Sequence, residues 1–232
     1  MSQNRLFRVV GWAVVVVLFL LLPKIVPEMK IHMTIEILIF SLFAVSFNLL
    51  IGYTGLMPFG YAAMFGVGAY ACALMVNHVP NTHLFLTLLV AALSGFVAAV
   101  VIGFFSVRLG GTYFALITLA FQMFLFAVAT KWRAVTNGDD GMGVIRPDFF
   151  LPGLGKISID GLHTANLYYL ILAVCGLGVL VMYLFLKTPL GNAVVCMKEN
   201  DVRASFLGYN VFRTRLAVFS GSGLIAGLAG GL

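Results

Sequence analysis

The sequence predicts an all-α, polytopic transmembrane helical bundle with about seven spans. Three observations carry that prediction. The chain is 62% hydrophobic and 9% charged, with a mean hydropathy of +1.07, far from the balance of a soluble domain. Its apolar runs approach the roughly 20 residues a helix needs to cross a bilayer, whereas barrel strands would be shorter and alternating. Its charges gather between these runs. The formal net charge of +6 comes from 14 basic residues at segment ends and in loops, which fits membrane topology better than a nucleic-acid footprint.

Taken in order, the first span is Val9 to Leu22. Arg5 and Arg8 precede it as in a signal peptide, but Pro23, Lys24 and Pro27 follow where a small-residue cleavage site would stand, so the span reads as uncleaved. The second runs from about Thr34 to Ile51 and carries Glu36 near its end, where a carboxylate reaches the interface at far below the midplane cost. Gly52, Gly55 and Pro58 then break helical continuity inside an apolar region, so one span is interrupted between Gly52 and Pro58. Backbone freed there needs protein or a water-lined cavity, and such a break suggests a pathway. Ala62, Gly66, Gly68 and Cys72 follow as small residues that let another helix approach closely.

Leu84 to Val107 is a full span closed by Arg108, and Gly110 and Gly111 lead into Tyr113 to Ala129. In that segment Thr118 and Gln122 lie four apart and share a face, either as a polar stripe toward the interior or as interhelical hydrogen-bonding groups. Residues 130–164 form a long external loop centred on TNGDDGMGVIRP, without the spacing of an EF-hand. Leu167 to Leu186 is the next span. The last run, from Leu216, sets Gly223, Gly227 and Gly231 at four-residue spacing and ends without a polar flank. It is expected to pack against a further helix that the chain lacks, as if truncated at the C-terminus. Cys72, Cys175 and Cys196 are odd in number and far apart, so neither a disulfide nor a metal site is expected.

Between the last two spans lies a hydrophilic stretch, 187–215, with Lys187, Lys198, Arg203, Arg213 and Arg215 against Glu199 and Asp201. At about 2.5 to 3.5 kcal/mol per charge at a bilayer centre, burying it would cost on the order of 20 kcal/mol. It is therefore in water. Pro189 opens a helix there; Asn200 reads as an N-cap followed by Asp201, and Gly208 as the C-terminal glycine of a second short helix. Val194, Val195, Val202, Phe206 and Leu207 add apolar surface beside the charges, a composition suited to docking.

The pattern Gly191, Glu199, Ala204, Gly208 resembles the cytoplasmic coupling loop of ABC-importer permeases, and the GYNVFRTRLAVFSGSGLIAGLAGGL that runs on from Gly208 is similar to the branched-chain amino acid permease family, LivM-like. The likeness extends to Asn48, Gly52, Tyr53, Thr54, Gly55, Phe59, Gly60, Ala62, Gly66, Gly68, Ala69 and Tyr70, with Pro58 and Tyr61 standing where the family commonly has Ser and His. Tyr61 removes any imidazole-based pH role at that position. Thr136, Gly138, Asp140 and Gly141 match a further family run, from which Asn137 and Asp139 depart. The resemblance implies a single permease domain over 1–232, with 187–215 as a cytoplasmic coupling loop. It implies two ATP-binding subunits, a homologous second permease subunit and an external solute-binding protein as partners.

No P-loop lysine motif is present, and His32, His78, His83 and His163 pair with no nucleophile or second ligand. A non-enzymatic translocation subunit is expected, with no catalytic residue, metal or cofactor and no nucleic-acid partner. It would lie in a bacterial inner membrane with its N-terminus cytoplasmic, a small excess of Lys and Arg then falling inside. The coupling residues would be Gly191, Glu199, Asp201, Arg203, Ala204 and Gly208, and the substrate pathway Asn48, Thr54, Tyr61, Thr118 and Gln122. An ion-coupled carrier would need embedded ionisable groups, and only Glu36 qualifies. The other alternative is a non-transporting membrane assembly protein.

Overall fold

A computed structural model describes residues 19, 22–23, 27–79, 83–143, 149–151, 155–157, 164–199, 201–206 and 208–232. Helix α1 (Glu28–Asn48) continues into a π turn (Leu49–Thr54) that ends at left-handed Gly55, φ 70°. Then follow α2 (Ala62–His78), α3 (Leu84–Ser106), α4 (Thr112–Lys131) and the short α5 (Arg133–Thr136). Helix α6 (Thr164–Leu186) leads to the short helices α7 (Pro189–Glu199) and α8 (Asp201–Phe206), and α9 (Val211–Gly231) closes the chain. This is an all-α polytopic bundle. Among the described residues, four helices are long and apolar enough to cross a membrane, within Lys30–Thr54, Leu84–Ser106, Thr112–Lys131 and Asn166–Leu186, while α2 is shorter. The predicted first span, 9–22, lies outside the described residues except for Phe19 and Leu22; the Phe19 carbonyl accepts the Tyr168 hydroxyl at 2.9 Å.

The centre of the bundle is a seam of α2, α3 and α9. Lipid is as apolar as leucine, so helices in a bilayer associate through close van der Waals packing, and small residues permit it. A Cβ at Gly95 would stand 2.6 Å from both the Gly223 carbonyl and Gly227 Cα, and one at Gly68 would overlap the Gly227 carbonyl. A Cβ at Gly223 or Gly231 would likewise overlap the methyl of Ala99 or Ala91. The glycines of the last span therefore pack on α2 and α3 of this chain, correcting the expectation that their partner is missing. Phe114, Phe219 and Met64 fill the same cluster, and a second one joins α1 to α6 through Ile35, Leu38 and Leu42 against Tyr168, Ile171 and Cys175.

Contacts between elements mark the two ends. At one, Lys198 reaches the π turn and the Arg108 guanidinium lies 4.3 Å and 5.2 Å from the ring centroids of Phe104 and Phe212. At the other, Asn77 Nδ2 donates to the Gly143 carbonyl at 2.9 Å. The stretch after α4 is not wholly irregular. Beyond α5 come a 3₁₀ turn (Gly138–Asp140) and the strands β1 (Phe149–Leu151) and β2 (Gly155–Ile157), which pair antiparallel with Phe150 opposite Lys156. This small hairpin was not expected from the sequence. The three cysteines are free.

Candidate functional site

The interruption expected between Gly52 and Pro58 is a return of the chain into the bundle. Thr54, 3% exposed, donates its hydroxyl to the Leu50 carbonyl at 2.5 Å and accepts the Leu56 amide at 3.2 Å, closing the π turn. Gly55 to Pro58 has no regular secondary structure and runs into a turn at Phe59–Tyr61, and burial alternates along it: Leu56, Pro58 and Gly60 are buried, while Met57 and Phe59 are exposed. The segment ends deep inside. Tyr61 donates at 2.9 Å to the carbonyl of Ser222, midway along α9, and its oxygen lies 2.9 Å from Ser46 Oγ. The Tyr61 ring sits between Phe43 and Phe47, centroids 5.2 Å and 5.1 Å away. Helix α2 thus starts level with the middle of α9, and the non-helical stretch before it is covered by protein on the Leu56 and Pro58 side and open at Met57 and Phe59.

Gly60 is what admits α4 to this region. A Cβ there would overlap the Thr118 carbonyl, and the Gly60 amide lies 3.4 Å from Thr118 Oγ1, which itself donates to Ala115 at 2.8 Å. One turn on, Gln122 has a buried side-chain oxygen with no hydrogen-bond partner. Of the five candidate pathway residues, Thr54, Tyr61 and Thr118 are buried in internal bonds, Asn48 is exposed beside Gly52, and Gln122 keeps an unsatisfied group. The structure brings Thr54, Tyr61 and Thr118 to one continuous segment.

At the other end of that segment lies the α7–α8 pair. Gly191 is buried against the Leu186 carbonyl, and its amide is held by Thr188 Oγ1 at 3.3 Å. Val194 is 1% exposed in the cluster that contains Leu49, Leu50 and Leu56, so α7 packs directly on the π turn. Ala193, Met197 and Ala204 form a smaller core joining α7 to α8. Asp201 pairs with Arg215 at 2.7 Å, tying α8 to the start of α9; Asp201 Oδ1 and Arg215 Nε find no further partner. Gly208, φ 86°, lets the Tyr209 amide reach back to the Ala204 carbonyl at 3.2 Å. Arg203 lies on α8, and Asn200, the expected N-cap, is outside the described residues. Outward, the pair presents Val195, Cys196, Glu199 and Phe206, the last 86% exposed. Val194 and Val195 are adjacent in sequence yet face opposite ways, which only the helix phase reveals. Among the described residues, no three His, Cys, Asp or Glu side chains gather as a metal site.

Interrupted helices packed inside a membrane bundle, such as the one here, recur in membrane transporters. The chain belongs to the family described as branched-chain amino acid transport system, permease component, whose model matches residues 31–232. It is 26% identical, over 90% of its own length, to the high-affinity branched-chain amino acid transport system permease proteins LivM of Escherichia coli and Salmonella typhimurium. It covers 53% of each, so the chain spans about half the length of these curated relatives. Over 83 residues it is 31% identical to the guanosine ABC transporter permease protein NupQ of Bacillus subtilis, which covers 35% of this chain and 26% of the relative. No solved structure matches the chain.

Proposed function

We propose that this chain is the membrane-spanning permease subunit of an ABC importer. It moves branched-chain amino acids or a related small polar solute through the inner membrane by ATP-driven alternating access. The observation that carries this reading is the two-sided build of α7–α8. Glu199 and Phe206 are exposed, while Val194 on the opposite face is buried against the π turn that begins the re-entrant segment. A partner pressing on the outer face would therefore act on the membrane interior. Two ATP-binding subunits supply that press, and ATP hydrolysis is theirs. A homologous second permease completes the pore, and a solute-binding protein docks at the end carrying residues 130–164. The N-terminus is cytoplasmic, as is the coupling loop 187–215, with Gly191, Asp201, Ala204 and Gly208 shaping it and Glu199 and Arg203 meeting the partner.

A zwitterion needs its charged ends satisfied. Asn48, exposed, and Gln122, with its unsatisfied oxygen, are the two pathway candidates whose polar groups the fold does not consume. In the assembled complex, Glu199→Cys is expected to crosslink to an ATP-binding subunit, and to react with an impermeant thiol reagent only after the membrane is opened. Labelling from outside in intact cells would overturn the topology and the coupling role together. Uptake surviving loss of ATP but not of an ion gradient would favour a secondary carrier, and competition between leucine and guanosine would define the solute.

A further inference from the structure

We propose that Lys198 is a positioning residue that makes the Gly55–Gly60 segment follow α7, by holding the carbonyl of Gly52. The inference rests on the importer reading above and adds to it a link between the coupling pair and the membrane interior. Lys198 Nζ donates to the Gly52 carbonyl at 2.7 Å, across 146 positions of sequence. Its stem lies over Gly55, with Cγ 3.4 Å from where a Cβ would be.

The carbonyl is available for a physical reason. The π turn ends at left-handed Gly55, so the last carbonyls of α1 have no helical donors ahead of them, and a cation at a helix C-terminus also complements its dipole. Most such carbonyls are satisfied locally or by water. Here the donor comes from a different element, one turn beyond Val194, which is itself packed on Leu49, Leu50 and Leu56. The two contacts grip the π turn at its apolar face and at its open end. Beyond Gly55 the chain has no helical bonds of its own until α2, and its far end is set by Gly60 against Thr118 and by Tyr61 on Ser222. Displacement of the C-terminal end of α7 beyond what rotation of the Lys198 stem absorbs must therefore either break the Lys198 bond or carry Gly52 and the segment after it along. Asn48, one turn before Gly52, lies next to this bond; a Cβ at Gly52 would stand 2.5 Å from Asn48 Oδ1.

The test uses the complete transporter in proteoliposomes, comparing wild type with Lys198→Met, which keeps the stem, and Lys198→Arg, which keeps a donor. In Lys198→Met the ATP-binding subunits are expected to remain bound and to hydrolyse ATP within about twofold of wild type, while solute moved per ATP falls about tenfold. Lys198→Arg is expected to recover most of that loss. A thiol placed by Met57→Cys in a Cys196→Ser background reads the segment directly. Its labelling rate should change with nucleotide when Lys198 is present and stop changing in Lys198→Met. Unchanged solute moved per ATP, or nucleotide-dependent labelling that persists in Lys198→Met, would overturn the role of Lys198 alone. Should Lys198→Met fail to assemble, Lys198→Gln, which keeps a shorter neutral donor, takes its place with the same two readouts. A fall in solute moved per ATP together with loss of nucleotide-dependent Met57→Cys labelling supports the link, and wild-type values for both overturn it. Wild-type uptake that needs no ATP would bring down the importer reading first.

Discussion

Two close crossings in this bundle use the same device to different ends. Along the seam of α2, α3 and α9, glycine meets glycine at successive levels, from Gly95 on Gly223 and Gly227 to Gly68 on Gly227. Among the described residues, helix α4 meets glycine backbone at Gly60 against Thr118 and, near its end, at Gly138 against the Thr130 carbonyl, and 17% of its apolar window is buried within the chain, against 39% for α3. The first region is a hub held at many points. The second is a helix held at a few points, by Gly60 against Thr118, Phe114 on Phe219 and Phe105 stacked on Phe121, with Tyr113, Phe124 and Phe126 left exposed. Repeated backbone approach joins helices along their length, whereas sparse approach fixes a helix at particular levels.

Three substitutions sharpen that contrast. Gly227→Val has the largest expected effect, because its side chain would collide with the Ala91 carbonyl and the backbone of Gly95. The seam would have to open, at a cost of roughly 3 kcal/mol or more, and detergent-solubilised protein should show a markedly lower unfolding temperature and poor recovery. Gly60→Ala comes next. A methyl there overlaps the Thr118 backbone, so α4 must shift; the expected cost is about 1 to 3 kcal/mol, with the hub intact. A change in crosslinking between α4 and the Gly55–Gly60 segment, at nearly unchanged yield, is the sign to look for. Gly66→Ala is smallest. Nothing lies within 4 Å of a Cβ at that position, so its stability should stay within about 0.5 kcal/mol of wild type. If Gly60→Ala unfolded the protein as thoroughly as Gly227→Val, the distinction between the two regions would be lost.

Much of this was readable beforehand, for identifiable reasons. Hydropathy located the described spans because a bilayer imposes length and apolarity on any helix crossing it. The break between Gly52 and Pro58 was visible because glycine and proline are the residues a helix tolerates least. What sequence could not say was where the broken chain goes, since its course depends on Tyr61 finding Ser222, 161 positions away. The four-residue spacing of Gly223, Gly227 and Gly231 signalled tight packing but not its partner, because spacing marks a face and is silent on what covers it. In the 187–215 stretch, Glu199 and Phe206 stood out as docking material, whereas Lys198 looked like one more loop charge. Its significance is a bond to a backbone carbonyl, and a carbonyl leaves no trace in the amino-acid alphabet. Likewise Tyr61 serves here as a strut inside the bundle, a role that burial and two partners define and residue type does not.

The corner between α6 and α7 carries a further implication. Thr188 Oγ1 accepts the Gly191 amide while donating to the Phe185 carbonyl at 2.6 Å, and Gly191 leaves no space between itself and Leu186. Such a joint has no slack to absorb torque. The geometry makes a stiff elbow, and a bulkier residue at Gly191 would change the angle between α6 and α7.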